Sequence, residues 1–463
     1  MNAAILPSPR PLRLAPPVTK AFASASQRVI YMFIIVQFLS QGLLVVESLG
    51  SLRSYLRIAG FGSSLVMFFF LTRFPVYRSY PVRSLGIAFC AILVIGVFHP
   101  NANTVSAGTC QLIINLAIFA PIFWSSRVAG STNFMRNVML MFWIYSLAGS
   151  IVGVLQVYNP DRFAPSPEFV RKLIGTSADG LQITLADGTQ VWRPMGLSDS
   201  PGGASIAGSF AVIFGIGITL TEKNLLLRLL AVFGAGAGMF CVYICQVRSI
   251  FLITLIGVVV YLVIMTIRER LPRLAFLAFA IPAVVVGGYA WAIAVGGVDV
   301  TSRLDTLSEQ RATDVYYKNR GVFVEKTFYE IMPEYPMGAG LGRWGSSLTL
   351  FGDPGLPNSE PIWVEVQITA WVVDGGIPLF IVGYLAVILT CWTSAKLAIK
   401  AVDPSIADMA ATVCSLNLSL VIMTFNYPVF ISQMGITFFL LNAMLYSSAG
   451  GRPRKPAVAA SYA

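Results

Sequence analysis

The chain has 463 residues, of which 56% are hydrophobic and only 11% are charged, and its mean hydropathy is +0.74. Several separate apolar stretches reach the roughly 20 residues that a helix needs to cross a bilayer. This composition excludes an ordinary soluble domain and predicts a polytopic membrane protein. The net charge of +11 would indicate nucleic acid as the partner of a soluble protein, but here it is first explained by retention of Lys and Arg on one side of a membrane. No nucleic-acid partner is therefore expected.

The apolar runs predict an all-α polytopic membrane protein with about 12 transmembrane helices and a large late loop on the external face. Residues 1–28 are basic and rich in Pro, without a convincing cleavage site, which predicts a cytoplasmic tail rather than a signal peptide. Residues 29–448 form a single membrane domain, and residues 449–463 form a second cytoplasmic tail. The predicted spans are residues 29–47, 56–72, 84–98, 108–125, 137–157, 202–220, 226–246, 249–267, 274–296, 376–395, 405–425 and 429–448.

The segments between these spans carry charge asymmetrically. Those predicted to be cytoplasmic contain 19 basic and 4 acidic residues, a net charge of +15. Those predicted to be external contain 13 basic and 17 acidic residues, a net charge of −4. Because Lys and Arg are retained in the cytoplasm, this asymmetry predicts that both termini are cytoplasmic.

Two external loops are long, covering about residues 158–201 and 297–361. In the first, the alternating run from Gly180 to Gly188 is bounded by Asp-Gly pairs, which is typical of a small β-hairpin. In the second, apolar residues between Val324 and Met332 follow the i, i+4, i+7, i+8 spacing of an amphipathic helix. Such a helix is expected to lie on the bundle or in the membrane interface.

A short apolar segment from Pro361 to Val373 leads through Asp374-Gly375-Gly376 into a full span. The pattern predicts a helix that dips in at the external surface and restarts at the glycines. Glu365 is expected within that short helix, where a carboxylate suits general-base chemistry, although a structural ion pair with an arginine is equally open. Asp374 is expected to act as a helix cap.

Three arginines are candidates for an external anion site. Arg248 lies in the tightest hairpin of the chain, Arg193 lies at the mouth of span six, and Arg320 lies in the second long loop. A cation held at membrane depth invites an anionic partner, and a guanidinium suits bidentate phosphate binding. Each one alone is equally compatible with a solvated or snorkelling charge, so only the set carries the hypothesis.

The segment from Gly338 to Gly345 resembles a loop that cradles phosphate, with Gly340 and Gly342 freeing backbone N–H groups beside Arg343. It follows no strand of a βαβ unit, so it fails the test for dinucleotide binding, and a set of tight turns is the alternative. External aromatic residues are candidates for stacking on sugars or for membrane anchoring. They are Trp192, Tyr316, Tyr317, Trp344 and Trp363.

All six cysteines lie in or beside apolar runs, so neither a disulfide framework nor a metal site is expected. The lone His99 ends a span beside Pro100 and is expected to be incidental. One histidine without a Ser partner argues against a hydrolase or metalloenzyme. No cofactor is expected.

From Arg193 to about Leu385 the chain resembles the bacterial O-antigen ligase and repeat-unit polymerase superfamily. The matching pieces are Arg193-Pro-Met-Gly-Leu-Ser-Asp-Ser-Pro-Gly202, Gln246-Val-Arg248-Ser, Asn319-Arg320-Gly, Gly338-Ala-Gly-Leu-Gly342 and Glu365-Val-Gln-Ile-Thr-Ala-Trp-Val-Val-Asp-Gly-Gly376-Ile. Members are multi-span proteins with both ends cytoplasmic and a large late periplasmic loop. They transfer glycans from undecaprenyl diphosphate. Ligases of the superfamily carry a His nine positions before the acid of the last motif, a position that is Glu365 here.

This departure favours a polymerase-like member of the inner membrane, which joins undecaprenyl-diphosphate-linked units of an O-antigen, capsule or exopolysaccharide at the periplasmic face. A chain-length regulator is a further expected partner. We predict Glu365, Arg248 and Arg320 as catalytic residues, and Arg193, Gly340, Gly342, Arg343 and Trp363 as substrate-binding residues. One alternative is ligation of a finished glycan to another acceptor. Another is a secondary transporter or flippase, which predicts an ionisable residue within a span and two related halves.

Overall fold

The computed structural model describes residues 20–174, 181–268, 271–309 and 312–450. The regular structure of this part is almost entirely helical, with one two-stranded sheet. In chain order the elements are α1 (Lys20–Leu43), α2 (Arg53–Leu71), α3 (Arg83–Val97), α4 (Val105–Trp124), α5 (Thr132–Tyr158), α6 (Pro160–Phe163), α7 (Pro167–Ile174), β1 (Gln182–Thr184), β2 (Gln190–Trp192), α8 (Gly203–Thr221), α9 (Leu225–Ile244), α10 (Arg248–Ile267), α11 (Leu271–Glu309), α12 (Ala312–Tyr316), α13 (Val322–Lys326), α14 (Met332–Glu334), α15 (Gly345–Phe351), α16 (Gln367–Lys400), α17 (Pro404–Met423) and α18 (Gln433–Ala449).

Ten helical stretches in the described ranges are long and apolar enough to cross a membrane. They are Ala23–Leu43, Glu47–Leu71, Val105–Arg127, Thr132–Tyr158, Gly203–Thr221, Leu225–Ile244, Arg248–Ile267, Ala278–Ser302, Gln367–Lys400 and Pro404–Met423. Each predicted span overlaps a helix, although α3 has only 15 residues and α18 only 17. The chain is therefore an all-α, multi-pass membrane protein.

The interior of the bundle is built on α8, which approaches α9 backbone to backbone. A Cβ atom on Gly208 would lie 2.5 Å from the carbonyl oxygen of Gly238, and one on Gly238 would lie 2.6 Å from that of Gly208. Close packing of small residues stabilises helix pairs in lipid, where hydrophobic exclusion from water is absent. Among the ten helices of membrane length, α8 has the largest buried share, 83%. The loop before α8 is therefore attached to a buried helix.

Helices α10 and α17 run antiparallel. Arg268 near the end of α10 pairs with Asp408 near the start of α17, and the Ser419 hydroxyl donates to the Ile253 carbonyl over 3.4 Å. The start of α10 therefore lies level with the turn 424–427, which follows α17. We call this end of the bundle the loop-bearing end, because the long connections also lie there.

The predicted β-hairpin is confirmed. Strands β1 and β2 pair antiparallel around a turn in which Gly188 has a φ of +84° and the Thr189 N–H donates to Oδ1 of Asp187 over 2.9 Å. The hairpin extends beyond the predicted run, because β2 begins only after Gly188. The start of that run, Gly180, lies outside the described residues.

Helix α11 continues past the predicted end of its span. It runs to Glu309, with a kink at Gly297, where φ is +58°. The hairpin packs against this kink: a Cβ atom on Gly297 would lie 2.9 Å from the Cβ atom of Ala186, whose N–H donates to the Val295 carbonyl over 3.1 Å. The first part of the predicted second loop is therefore helical.

The predicted amphipathic helix is also confirmed, and it lies on the bundle. Its hydrogen-bonding pattern widens into π-helical segments at Tyr317–Gly321 and Thr327–Ile331. Ile331 is buried against α16, and the hydroxyls of Thr327 and Thr369 are 2.6 Å apart. This contact places the helical part of the second loop on the first turns of α16.

Helix α16 is broken at Gly375 and Gly376, as predicted, and Gly376 has a φ of +65°. The break leaves backbone groups without partners inside the helix. After the break, the Ile377 N–H donates to the Pro336 carbonyl over 2.9 Å. Before it, the Val373 carbonyl accepts from the Ala339 N–H over 2.8 Å. Irregular backbone at membrane depth is tolerated where protein groups satisfy it in this way.

The predicted short helix around Glu365 is wrong. Residues 361–366 are not helical, and Val366 has extended backbone with φ −129° and ψ 157°. Helix α16 begins at Gln367, where the N–H donates to the Thr424 carbonyl over 2.9 Å. Glu365 therefore lies on an extended segment, held by the turn after α17 instead of by a helix of its own.

Candidate functional site

Glu365 and Arg320 form an ion pair at the loop-bearing end. Oε2 of Glu365 lies 2.7 Å from Nη1 of Arg320, and the two side chains are 24% and 38% exposed. The structure thus brings together two of the three predicted catalytic residues. A pair this exposed contributes at most about 1 kcal/mol to stability, and a ligand can reach both of its members.

The turn 424–427 joins the two segments that carry this pair. On the segment with the arginine, the Tyr316 hydroxyl donates to the Phe425 carbonyl over 3.1 Å. On the segment with the glutamate, the Gln367 N–H donates to the Thr424 carbonyl over 2.9 Å. Both contacts use backbone carbonyls of one turn, so Tyr316 and Gln367, which are 51 positions apart, are held against the same point of the bundle.

Arg193 and Arg248 lie on neighbouring turns at the same end. Arg248 is the first residue of α10, Arg193 directly follows β2, and both are half-buried. The two turns touch, because a Cβ atom on Gly202 would lie 3.2 Å from the Val247 side chain. The register of α10 against α17 places Arg248 level with the turn 424–427. The third predicted catalytic residue thus lies at the same level of the bundle as the turn that holds the ion pair.

Both turns are held in fixed conformations. Gln246, just before α10, has a φ of +55°, which costs a non-glycine residue about 1–2 kcal/mol. In the loop after Arg193, the buried Oε1 of Gln156 accepts from the N–H groups of Met195 and Gly196 over 2.8 and 2.9 Å. Because α5 provides this clamp, the position of Arg193 is set by the bundle and not by the loop alone.

Residues 336–345, which we call the glycine loop, pack against the start of α4. Gly340 and Gly342 have φ angles of +89° and +76°. A Cβ atom on Gly342 would lie 2.4 Å from the carbonyl carbon of Ala107, and one on Gly340 would lie 2.9 Å from the nitrogen of Ala102. The close packing therefore requires residues without a side chain at these two positions. Contact of these glycines with a phosphate stays a prediction.

Arg343 is buried in the glycine loop, with 4% of its surface exposed. Its Nη1 donates to the Asn101 carbonyl over 2.9 Å, while its Nε has no hydrogen-bond partner among the described residues. Burial lowers the pKa of the guanidinium from its usual value, and the neighbouring Tyr335 and Glu334 raise it in part. A buried guanidinium with an unused donor is suited to a further anionic or carbonyl ligand.

Trp363 and Trp344, two of the predicted aromatic residues, differ in exposure. Trp363 is 64% exposed on the extended segment before α16, and the neighbouring Ile362 N–H donates to the Arg343 carbonyl over 3.0 Å. It remains available for stacking. Trp344 is only 5% exposed, so the prediction that it meets a sugar face is wrong, because its ring is part of the packing beneath the glycine loop.

Asp374 does not cap a helix, contrary to the prediction. It is fully buried, and its Oδ1 accepts from Nε1 of Trp344 over 2.8 Å while its Oδ2 accepts from Nε2 of Gln111 over 3.2 Å. Oε1 of Gln111 in turn accepts from the Ser347 hydroxyl over 2.8 Å. The carboxyl therefore docks the glycine loop onto α4 and α16, through partners that are distant in the sequence.

Replacement of Trp344 by Phe should destabilise this docking. The change keeps an aromatic ring but removes the N–H donor, which leaves one oxygen of the buried Asp374 without its partner and costs about 1–3 kcal/mol. We expect a lower midpoint of thermal unfolding for the purified protein in detergent. Replacement of Trp392, which is 66% exposed on α16, by Phe is the control and should leave the midpoint unchanged. Equal midpoints for both variants would contradict the docking role.

A charged group that the sequence interpretation missed lies nearby. Oδ2 of Asp199 accepts from Nη2 of Arg57 over 2.5 Å and from Nη2 of Arg53 over 3.0 Å. Burial raises the pKa of the Asp199 carboxyl, but the two arginines outweigh it and hold the pKa below its ordinary value. Two arginines four positions apart in an apolar run were the available signal, although nothing in the sequence named their partner.

No protein-family model matches the chain, and no curated protein matches it. The functional argument therefore depends on the residues at the loop-bearing end. They present a paired carboxylate and guanidinium that ligands can reach, two further arginines on adjoining turns, and a buried arginine with an unused donor. Groups of these kinds can accept a proton and bind a strongly anionic group.

Proposed function

We propose that the chain is an inner-membrane glycosyltransferase that polymerises undecaprenyl-diphosphate-linked oligosaccharide units at the periplasmic face. The observation that carries the proposal is the accessible ion pair of Glu365 and Arg320, 2.7 Å apart, at the end of the bundle that also bears Arg193 and Arg248. A reaction that expels a diphosphate and deprotonates a hydroxyl needs both kinds of group. The resemblance to the O-antigen polymerase superfamily adds to this argument.

In the proposed step, a hydroxyl oxygen of the acceptor sugar attacks the anomeric carbon of the donor glycan. A new C–O bond forms, the bond from that carbon to the diphosphate oxygen breaks, and the diphosphate leaves with the electron pair. Glu365 accepts the hydroxyl proton. The leaving group is a weak base, so stabilisation of its charge contributes more than a general acid would.

Arg320 has two roles in this proposal. Before the substrate arrives its guanidinium pairs with the Glu365 carboxylate. When a diphosphate binds, the guanidinium can turn toward the stronger anion, because its side chain is 38% exposed. Glu365 is then released as a base next to the acceptor. Arg193 and Arg248 complete the cationic set from their adjoining turns.

Sidedness in the proposal follows from charge. Basic residues are concentrated in the segments that join the helices at the end opposite the loop-bearing end, which favours a cytoplasmic position for that end. Both termini would then be cytoplasmic, and the site would face the periplasm. This is where lipid-linked units of an exported polysaccharide are joined in the superfamily that the chain resembles.

The proposal is tested by analysis of lipid-linked glycans in a strain that lacks the chain. Loss of a polymerase leaves single repeat units on the lipid, and the wild-type chain restores the ladder of longer products. A strain that instead accumulates long lipid-linked chains would contradict polymerisation and would indicate ligation to another acceptor.

A secondary transporter is the second candidate, because α16 is broken beside a fully buried carboxyl, Asp374. Discontinuous helices and intramembrane acids are features of transport sites. Against it, both oxygens of Asp374 are engaged by Trp344 and Gln111. In spheroplasts of the deletion strain, single lipid-linked units that resist an added glycosidase would support transport. Units that the glycosidase digests have already crossed the membrane and would support polymerisation.

A further inference from the structure

A cavity of about 360 Å³ lies at the loop-bearing end, between α1, α2, α5, α8 and the start of α18. Its volume is within the range of ~300–1,000 Å³ that is usual for small-molecule sites. Tyr427 and Ser346 contribute to its wall, so it adjoins the turn 424–427 and the glycine loop. Neither Arg320 nor Glu365 lines it. The cavity is thus a neighbour of the proposed catalytic site and not a part of it.

Much of the cavity wall is apolar, and it stands close to the membrane. The apolar part includes the large side chains of Phe38, Phe61, Ile114, Tyr145, Phe210 and Met434. The helices α1 and α2 form its outer side, and on these helices Leu39 and Ile58, which do not line the cavity, are each 58% exposed. Apolar faces this exposed meet lipid in a membrane protein. Only one layer of helices therefore separates the cavity from the acyl chains.

The charged part of the wall is an arginine and an aspartate, and a second arginine outside the lining pairs with the same aspartate. Arg57 and Asp199 line it, and Arg53 reaches the same carboxylate. Two donors of Arg57 and one of Arg53 converge on the single Oδ2 oxygen of Asp199, which leaves this group with two cations and one anion. The Arg57 side chain is 46% exposed. Two guanidiniums that converge on one carboxylate oxygen are also placed to bind the oxygens of a phosphate.

We propose that this cavity binds the phosphorylated head of a second lipid substrate, a diphosphate ester on a long apolar chain. Arg57 and Arg53 bind the phosphate oxygens, and the start of the chain lies on the apolar wall. Asp199 is the internal anion that occupies the guanidiniums until the phosphate replaces it. A phosphate has more acceptor oxygens than a carboxylate, so both arginines can be used at once.

This inference rests on the proposed function, because polymerisation requires two lipid-linked molecules at the same time. The diphosphate that leaves is held by Arg193, Arg248 and Arg320 in that proposal. The diphosphate of the acceptor stays attached to its sugar, so it needs a separate place within reach of the acceptor hydroxyl. The cavity adjoins the turn 424–427, which holds the Glu365 segment. We therefore place the diphosphate of the acceptor lipid in this cavity.

The test is photolabelling of the purified full chain in detergent with a diazirine analogue of farnesyl diphosphate. Peptides from α1, α2 and the start of α18 should be labelled, and unmodified farnesyl diphosphate should compete. Arg57→Gln should require at least about tenfold more probe for half-maximal labelling, since a hydrogen bond to a charged group is lost. Asp199→Asn should reach half-maximal labelling at a probe concentration at least about threefold lower than the wild type, because the competing anion is removed.

The opposite signs separate binding from a structural role. If the pair only stabilised the loop, both variants would weaken labelling together, and that result would overturn the proposal. Arg136→Gln is the matched control, because Arg136 pairs with Glu222 at the other end of the bundle and is 45% exposed, close to Arg57. Its labelling should equal that of the wild type. Competition by inorganic diphosphate as strong as that by farnesyl diphosphate would also overturn the proposal, because it would indicate a site for free diphosphate.

Labelling requires no turnover, so this inference and the proposed function can fail separately. Glu365→Gln should be labelled in the cavity as the wild type is. Normal labelling together with full polymer formation in Glu365→Gln would leave the cavity site standing and would reject the proposed chemistry. An unlabelled cavity in a chain whose activity depends on Glu365 would reject only the acceptor site.

Discussion

Replacement of Glu365 by Gln is expected to abolish polymer formation while the protein stays folded. The change removes the carboxylate that accepts the proton but keeps the size of the side chain, and loss of a general base lowers turnover by about 10²–10⁴-fold. The ion pair with Arg320 is partly exposed, so its loss should cost no more than about 1 kcal/mol. Polymer length in a complemented deletion strain and the unfolding midpoint of the purified variant are the two measurements.

These two readouts decide between the base and a purely structural pair, the alternative that the sequence left open. A structural pair predicts that Glu365→Gln and Arg320→Gln lower the midpoint equally, with activity falling only as folded protein is lost. Glu360→Gln is the control, because Glu360 is an exposed carboxylate five positions earlier. It should form polymer of normal length. Wild-type chain length in Glu365→Gln would reject the proposed site.

Replacement of Gly342 by Ala is expected to give the largest loss of stability. The residue has a φ of +76°, and a Cβ atom would lie 2.4 Å from the backbone of Ala107. Left-handed backbone costs a non-glycine residue about 1–2 kcal/mol, and forcing an atom into packed structure adds about 1–3 kcal/mol. We expect a much lower midpoint of thermal unfolding, or loss of folded protein from the membrane.

The variant Gly345→Ala separates the cost of the left-handed backbone from the cost of the steric clash. Gly345 has a similar φ of +63°, but no atom beyond its chain neighbours and its own helix backbone lies within 4 Å of the position that its Cβ would occupy. It should therefore show only the cost of the backbone conformation. If Gly345→Ala destabilises the protein as much as Gly342→Ala does, the close approach of the glycine loop to α4 is not the reason that a glycine is required at position 342.

Local patterns predicted the helices, the hairpin and the helix break, because each depends on residues that are neighbours in the chain. The hairpin follows from the turn preference of Asp187 and Gly188, and the break in α16 follows from Gly375 and Gly376. Apolar runs of sufficient length predicted the ten helices of membrane length in the same way, since a backbone in lipid must satisfy its own hydrogen bonds. The error at Glu365 arose because a short apolar segment has no periodicity that distinguishes a helix from an extended chain.

The sequence by itself determined that this is a multi-pass helical protein, and it identified Glu365 and Arg320 as residues of interest. Only the tertiary structure decided that those two pair, that Asp374 binds Trp344 and Gln111, and that Arg57 meets Asp199 across 142 positions. The physical reason is that the role of a charged group in a membrane depends on the donors and anions around it. Helix packing chooses those neighbours, and no local sequence pattern records them.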